Sequence, residues 1–189
     1  MAKTFFPGMQ EGERILYFTT PHKAIKYLYL AGIIAAGLFL ILAFQTIFFA
    51  IFPNALLQLL MLVLPLVILG FILWSLHKTY DQTELFVTDR RVVKFAPVSP
   101  FNKTVRTLFW DQTVKVKTYH QNPMIDKMLG LGSVTVHAKN ESDDVDIDHI
   151  IYHHDLGNYL DKILFTFHNN SSEMPNIKEF IPKPRGQRY

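Results

Sequence analysis

The feature that most constrains this chain is a run of 50 residues, 27–76, that contains no Asp, Glu, Lys, Arg or His. A helix that spans a bilayer needs about 20 apolar residues, so this run is long enough for two. The triplet Phe52-Pro53-Asn54 lies near its middle, and a proline beside an asparagine is typical of a break between helices. The sequence therefore predicts a transmembrane hairpin over residues 24–78, with spans at about 27–49 and 55–74.

The charges beside the run predict its orientation. Lys23 and Lys26 precede it, Lys78 follows it, and the expected turn carries no charge. Cytoplasmic flanks of membrane helices carry an excess of Lys and Arg, so we expect a multi-pass protein of the inner cell membrane with both termini in the cytoplasm. A cleaved signal peptide has an apolar core of only about 7 to 15 residues close to the N-terminus, which does not fit this run.

Composition and missing motifs narrow the function classes. Hydrophobic residues make up 49% of the chain and charged residues 19%, which is unlike a disordered protein. The chain has no cysteine, so a disulfide scaffold, a cysteine nucleophile and a cysteine-ligated metal are excluded. It contains no phosphate-binding loop, dinucleotide fingerprint, nucleophile elbow or RNA-binding motif. We therefore expect no enzyme activity, no cofactor and no nucleic-acid partner.

Residues 79–168 predict a cytoplasmic β domain closed by a helix. Apolar and polar residues alternate, as is typical of strands, at 84–88, 91–95, 103–109, 113–119, 133–139 and 145–151. We expect Pro97 and Pro100 to end the second of these patterns. Apolar residues then follow at helical spacing over 155–167, which predicts one amphipathic helix after the strands.

The segments before and after this region complete the domain plan. Residues 1–11 form an N-terminal segment, and residues 12–22 contain a further strand pattern upstream of the hairpin. If that strand pairs with residues 83–88, the helical hairpin is an insertion in the first connection of the β domain. Residues 169–189 are basic and contain prolines, and we expect them to form a mobile tail.

Three motifs resemble one family. They are Gly12-Glu13-Arg14-Ile15-Leu16 with Pro21-His22, then Leu85-Phe86-Val87-Thr88-Asp89-Arg90-Arg91-Val92-Val93, and finally Met128-Leu129-Gly130-Leu131-Gly132-Ser133-Val134-Thr135-Val136. Together they resemble the bacterial membrane-anchored pleckstrin-homology-like (PH-like) domain proteins. The resemblance implies a strongly bent antiparallel barrel of about seven strands capped by a C-terminal helix. It also implies a scaffold that binds lipids, peptides or proteins and rarely catalyses.

Five basic residues are candidates for contact with anionic lipid headgroups or phosphate: Arg90, Arg91, Lys94, Lys115 and Lys117. Arg90 and Arg91 follow the second span closely in the sequence, and the negative cytoplasmic leaflet attracts basic side chains near a membrane exit. The alternative is that these residues are solvated strand charges that only determine topology.

A second candidate site is acidic and consists of Glu141, Asp143, Asp144 and Asp146. With Asp148, this stretch holds five of the 16 carboxylates, so a net charge of +3 hides a more basic remainder. Anionic lipid repels an acidic loop, so we expect it to face the cytosol and to receive a basic, membrane-associated protein partner. The alternative is a hairpin tip that only aids solubility.

One cluster in the sequence resembles a metal-binding site. It consists of His149, His153 and His154 together with neighbouring aspartates. Imidazole nitrogens are good ligands for zinc. The alternation of residues 146–151 is typical of a strand, which points these groups to different sides. We therefore expect surface histidines here rather than a metal site.

The sequence leads to two functional hypotheses. The first is a non-enzymatic, membrane-anchored PH-like interaction module at the cytoplasmic face of the bilayer that binds a protein partner or anionic lipid. The alternative is a structural accessory subunit of a larger membrane complex, in which small residues of the first span contact other helices. These small residues, which also suit simple packing of the hairpin, are Ala31, Gly32, Ala35, Ala36 and Gly37.

Overall fold

The computed structural model describes residues 4–51, 54–121, 123–183 and 187. Its elements in chain order are β1 (Ile15–Thr19), α1 (Lys23–Ile51), α2 (Ala55–Asp81), β2 (Glu84–Thr88), β3 (Arg91–Ser99), β4 (Asn102–Phe109), β5 (Thr113–Tyr119), α3 (Pro123–Leu129), β6 (Leu131–Ala138), β7 (Val145–Ile151) and α4 (His153–Asn169). Short 3₁₀ helices lie at Trp110–Gln112, Glu141–Asp143 and Ser171–Asn176. The predicted turn residues Phe52 and Pro53 lie outside the described ranges, as do Asn122 and the tail residues 184–186, 188 and 189.

The helices α1 and α2 are both long and apolar enough to cross a membrane. They have 29 and 27 residues, and at about 1.5 Å per residue each exceeds the roughly 30 Å hydrocarbon core. All residues of α2 are described, and none of its side chains is buried, unlike the core helix of a soluble protein. Asn54 caps α2 by accepting the Leu56 N–H at 3.0 Å, and Pro65 lies within α2 without ending it.

The two helices contact each other along the hairpin and at its base. A Cβ placed on Gly37 would lie 2.7 Å from Leu69 Cδ1, so a glycine allows the helices to approach closely there. At the base, Lys26 is buried and its Nζ lies 2.6 Å from Asp81 Oδ1. This ion pair ties the start of α1 to the end of α2.

The seven described strands form two antiparallel sheets, ordered β1-β2-β3-β4 and β5-β6-β7. β1 pairs with β2 from Ile15 opposite Thr88 to Thr19 opposite Leu85, so the helical hairpin is inserted between two neighbouring strands. Both sheets and α4 share one hydrophobic core, whose fully buried side chains include Val87, Leu108, Trp110, Val136, Leu156 and Leu160. The predicted layout of an apolar hairpin, an antiparallel β region and a C-terminal helix is thus confirmed.

One strand is longer than the sequence predicted. β3 continues through Pro97, which was expected to end it. β2 pairs with β3 only as far as Phe95, whereas β4 accompanies β3 beyond that point and a register shift follows Pro97. Proline is tolerated at such edges and irregularities because a missing N–H breaks little of the ladder there.

The prediction of a mobile tail from residue 169 is wrong as far as Phe180. Met174, Ile177 and Phe180 are buried in the main core. The Phe180 N–H donates to the Leu16 carbonyl at 2.9 Å, and Arg14 Nη2 donates to the carbonyls of Met174 and Ile177 at 3.3 and 2.8 Å. These apolar residues are three positions apart, which is not the α-helical period used to predict packed segments.

Candidate functional site

Strand direction gives the β domain two distinct ends. β1 ends and β2 begins within a few residues of the helices α1 and α2, and we call this the proximal end. β2 has five residues, which carry the chain about 17 Å away at roughly 3.3 Å per residue. The β2–β3 turn at Asp89 and Arg90 therefore lies at the opposite, distal end.

At the proximal end, the β3–β4 hairpin runs alongside α2. Gln82 Nε2 donates to the Pro100 carbonyl at 3.0 Å, and the ring centroids of Phe101 and Trp74 are 5.9 Å apart. Lys78 Nζ lies 5.0 Å from the Phe101 ring and 5.3 Å from the Trp74 ring. Phe101 is nevertheless 78% exposed. Trp74 precedes the end of α2 by about two turns, or roughly 10 Å, so the hairpin tip extends past the helix end toward the apolar span.

The helix α3 lies at the same end. The buried Asp126 has its Oδ1 3.1 Å from His149 Nδ1, and the His149 carbonyl accepts the His22 N–H at 3.0 Å. His22 directly precedes α1, so this chain of contacts places α3 beside the start of the hairpin. Met124 and Met128, one turn apart on α3, are 85% and 87% exposed.

We call Phe101, Met124 and Met128 the proximal apolar tips. Two exposed lysines accompany them: Lys103 lies near the start of β4 within the β3–β4 hairpin, and Lys127 lies between the two methionines on α3. Aromatic and other apolar side chains with neighbouring lysines are typical of the headgroup layer of a membrane, where the apolar part is buried and the charge stays hydrated. The proximal end therefore has the chemistry of a lipid-facing surface.

The distal end buries an ion pair. The Glu13 side chain is fully buried, and its carboxylate accepts Arg91 Nε at 2.9 Å and Nη2 at 2.8 Å. Thr88 Oγ1 and the Gln10 N–H also donate to it, each at 2.8 Å. Burial raises the pKa of the Glu13 carboxyl, but the hydrogen bonds from Arg91, Gln10 and Thr88 outweigh burial and hold that pKa below its usual value. We call Glu13, Thr88 and Arg91 the distal clamp.

This geometry corrects the predicted role of the two arginines. Arg91 is buried and its guanidinium is part of the distal clamp, so it is not placed to contact a headgroup. Arg90 Nη1 donates to Gln10 Oε1 at 3.1 Å, and the Arg90 carbonyl accepts the Trp110 N–H at 3.3 Å. Nearness to the membrane exit was the reason for proposing both residues, and the direction of β2 removes that reason.

The remaining predicted basic residues do not join the arginines in one surface. Lys94 Nζ donates to the Asp146 carbonyl at 2.6 Å and lies 3.5 Å from Asp148 Oδ2, so it links β3 to β7. Lys115 and Lys117 are exposed on β5. The five candidates are thus divided between the buried ion pair of Arg91, the exposed distal turn at Arg90, the internal contact of Lys94 and the exposed face of β5.

Two of the four predicted acidic residues act within the β6–β7 hairpin. Asp144 Oδ2 lies 2.7 Å from His137 Nδ1, and Asp144 Oδ1 accepts the Ala138 N–H at 2.8 Å. Burial raises the pKa of the Asp144 carboxyl, but these hydrogen bonds outweigh it and lower the pKa overall. Asp146 Oδ1 accepts Thr135 Oγ1 at 2.6 Å. Both carboxylates therefore hold the hairpin together.

Glu141 and Asp143 are the other two, and both are exposed. They lie in the turn between β6 and β7, where the Lys139 N–H donates to the Gln112 carbonyl at 2.9 Å. That contact places the turn beside the segment after β4, at the distal end. The exposed acidic residues thus lie at the end opposite the helices.

The predicted histidine cluster is rearranged. His149 faces Asp126 and does not join His153 and His154. Instead, His120, which follows β5, brings a ring nitrogen within 4.8 Å of one from each of the other two. Burial, together with the nearby His154 and His120, lowers the pKa of His153 to about 4, so this ring is neutral at pH 7. Sequence reasoning missed His120 because only the pairing of β5 with β6 brings it to the start of α4.

Comparisons of this chain with models of known protein families, with curated proteins and with solved structures find no match. We therefore take its function from the arrangement of its own residues. The proximal apolar tips beside the helical hairpin are the candidate site that bears most directly on that function.

Proposed function

We propose that this chain is a non-enzymatic, membrane-anchored interaction module. The helical hairpin crosses the inner membrane twice and holds a PH-like β domain at the cytoplasmic face, where the domain binds anionic lipid or a membrane-associated protein. The observation that carries this proposal is the position of Phe101, which lies exposed beside Trp74 of α2. A domain that rests on a bilayer would bury the exposed part of this ring in lipid, which is a favourable change.

Two further observations support the anchor and its scaffold. β1 precedes α1 and pairs with β2, so cleavage of the first helix as a signal would remove a strand from the sheet. A sheet of four strands, a sheet of three and a C-terminal helix correspond to the layout that the PH-like resemblance implies. Scaffolds of that kind hold binding sites far more often than catalytic ones.

The mechanism is confinement and orientation. Two membrane crossings restrict the domain to the bilayer surface and raise its effective concentration for anything else that is bound there. Lys103 and Lys127, beside the proximal apolar tips, are attracted to an anionic leaflet by about 1 kcal/mol each. With the proximal end held on lipid, the exposed Glu141 and Asp143 point away from the bilayer and are available to a basic partner.

Single-cysteine labelling tests the anchoring and its orientation. The natural chain has no cysteine, so Asn54→Cys and Ser142→Cys each introduce one reactive thiol. In intact spheroplasts, a membrane-impermeant maleimide is expected to label Asn54→Cys, which lies between the two helices. It should label Ser142→Cys only after the membrane is permeabilised. The opposite pattern, or labelling of both variants in intact spheroplasts, contradicts the proposal.

One structural observation supports the alternative function as an accessory subunit. Gly37 packs against Leu69 within the hairpin, but open space surrounds the position that a Cβ would take at Gly32, so another span could approach there. Solubilisation in mild detergent, followed by sizing and mass identification, separates the two functions. A lone chain in its micelle favours the module, and a protein that co-purifies in a fixed ratio favours the accessory subunit.

A further inference from the structure

Three histidines from two separate parts of the sequence meet at the proximal end. His120 follows β5, and His153 and His154 open α4. The ring centroid of His153 lies 4.0 Å from the ring centroid of His154 and 4.9 Å from that of His120. One ring nitrogen from each of the three lies within 4.8 Å of the other two. Pairs of histidines are common on protein surfaces, but three converging imidazoles form a donor set that suits a metal ion.

Hydrogen bonds orient two of the rings. His120 Nδ1 lies 3.0 Å from the Leu131 carbonyl, which can only accept, so Nδ1 carries the proton and Nε2 keeps a lone pair. His154 Nδ1 lies 3.2 Å from Thr118 Oγ1, a hydroxyl that can accept a hydrogen bond from it, and in that tautomer His154 Nε2 keeps a lone pair as well. Histidines that bind metals are commonly held in this way, with the second ring nitrogen bonded to a carbonyl, hydroxyl or carboxylate of the protein.

The third ring supplies an independent observation. His153 is 6% exposed, and its Nε2 is buried with no hydrogen-bond partner among the residues that the structure describes. Buried polar atoms nearly always have a partner, because losing water without a replacement is costly. The ring packs directly on Gly132, where any Cβ would overlap His153 Cγ. His153 Nε2 is therefore a buried nitrogen without a partner among the described residues, and it lies beside two other imidazoles.

We propose that His120, His153 and His154 bind one divalent first-row transition-metal ion, represented by zinc in the test below. Zinc–nitrogen distances of about 2.0 to 2.1 Å place tetrahedral nitrogens roughly 3.4 Å apart. The exposed His154 and half-buried His120 close around the fixed His153 to reach that spacing. Three protein ligands leave a fourth position for water.

Such an ion would add a cross-link between elements that already contact each other, since Thr118 Oγ1 of β5 lies 3.2 Å from His154 Nδ1 of α4. It would link the end of β5 to the start of α4, and α3 begins three residues after His120. Because α3 carries Met124 and Met128, bound metal would stabilise the base of one proximal apolar tip. Metal binding does not depend on the membrane function proposed above, so either proposal can fail without the other.

The test uses the full chain without a polyhistidine tag, purified in detergent and stripped with a chelator. Zinc titrated against a chromophoric chelator is expected to bind at about one ion per chain and to raise the unfolding temperature. Cobalt in its place should give the visible absorption of a tetrahedral site. Removing one ligand with His154→Gln or His120→Gln should weaken binding at least about tenfold.

Two further variants distinguish a metal site from a general effect of mutation. His168→Gln changes an exposed histidine near the end of α4 and is expected to bind zinc as the natural chain does. Thr118→Val keeps the side-chain shape but removes the hydroxyl beside His154, so we expect weaker binding with an unchanged fold. The proposal is overturned if the folded natural chain binds no zinc, or if His154→Gln and His168→Gln bind it equally well.

Discussion

The proximal and distal ends of the β domain differ in the side chains that they expose, although both ends bury charged groups. At the proximal end, Phe101 and Met128 are exposed, although both are large and apolar. At the distal end, Glu13 and Arg91 are buried against each other, although both carry charge. The exposed turn between β6 and β7 at the distal end carries carboxylates instead of large apolar side chains. This difference supports the proposal that the proximal end faces a bilayer and the distal end faces water.

The largest expected effect concerns the distal clamp. Glu13→Gln leaves the buried Arg91 guanidinium without its counter-charge, and breaking a buried ion pair in this way costs about 3 to 5 kcal/mol. We expect a clear fall in the free energy of unfolding, measured by denaturation in detergent micelles. Glu11→Gln is the matched control, because Glu11 is exposed and should change stability by less than about 0.5 kcal/mol. Equal losses in both variants would show that the clamp does not stabilise the domain.

The pH dependence of stability should report on the same ion pair between Glu13 and Arg91. Because the folded state lowers the pKa of Glu13 below its usual 4.5, the stabilisation is complete above about pH 4.5 and is lost as the pH falls through the lowered value. Unfolding temperature measured against pH should therefore fall less steeply below pH 4.5 in Glu13→Gln than in the natural chain. Some slope remains, since the pKa of Asp144 is lowered too. Parallel curves would contradict the assignment.

At the proximal end, replacing an exposed apolar side chain by a polar one is expected to leave folding intact. Phe101→Ser removes an exposed side chain, so the free energy of unfolding should change by less than about 0.5 kcal/mol. In nanodiscs, however, the β3–β4 hairpin should lose contact with lipid, and hydrogen exchange over residues 98–104 should become faster. Val114→Ser, which alters an exposed apolar residue of β5, is the control. Equal exchange in the two variants would remove Phe101 as a lipid contact.

The smallest expected effect is on attraction to anionic lipid, and it compares two proximal lysines with the distal Arg90. Lys103→Gln combined with Lys127→Gln should reduce the attraction to anionic lipid by about 1 kcal/mol per charge, whereas Arg90→Gln at the distal end should have no effect. A polarity-sensitive fluorophore at position 101 reports the attraction as an emission shift when anionic lipid is added to nanodiscs. A larger loss of that shift in Arg90→Gln than in the double-lysine variant would reverse the proposed orientation.

The sequence predicted the architecture better than the site, and particular residues show why. The helical hairpin could be predicted because it depends on a local property, the absence of charge over residues 27–76. The burial of Arg91 could not, since its partner Glu13 lies on the other side of the hairpin in the sequence. His120 was missed for the same reason, as strand pairing alone brings it to His153. Local patterns identify elements, whereas sites depend on register and strand direction.

The most direct test of the central claim measures how close each end of the β domain lies to the lipid headgroups. Phe101→Cys and Ser142→Cys, each labelled with the same fluorophore, are placed in nanodiscs that contain lipid with a quencher on its headgroup. If the proximal end rests on the bilayer, quenching should be strong at position 101 and weak at position 142. Equal quenching at both positions, or stronger quenching at position 142, would contradict the claim that the proximal apolar tips face the membrane.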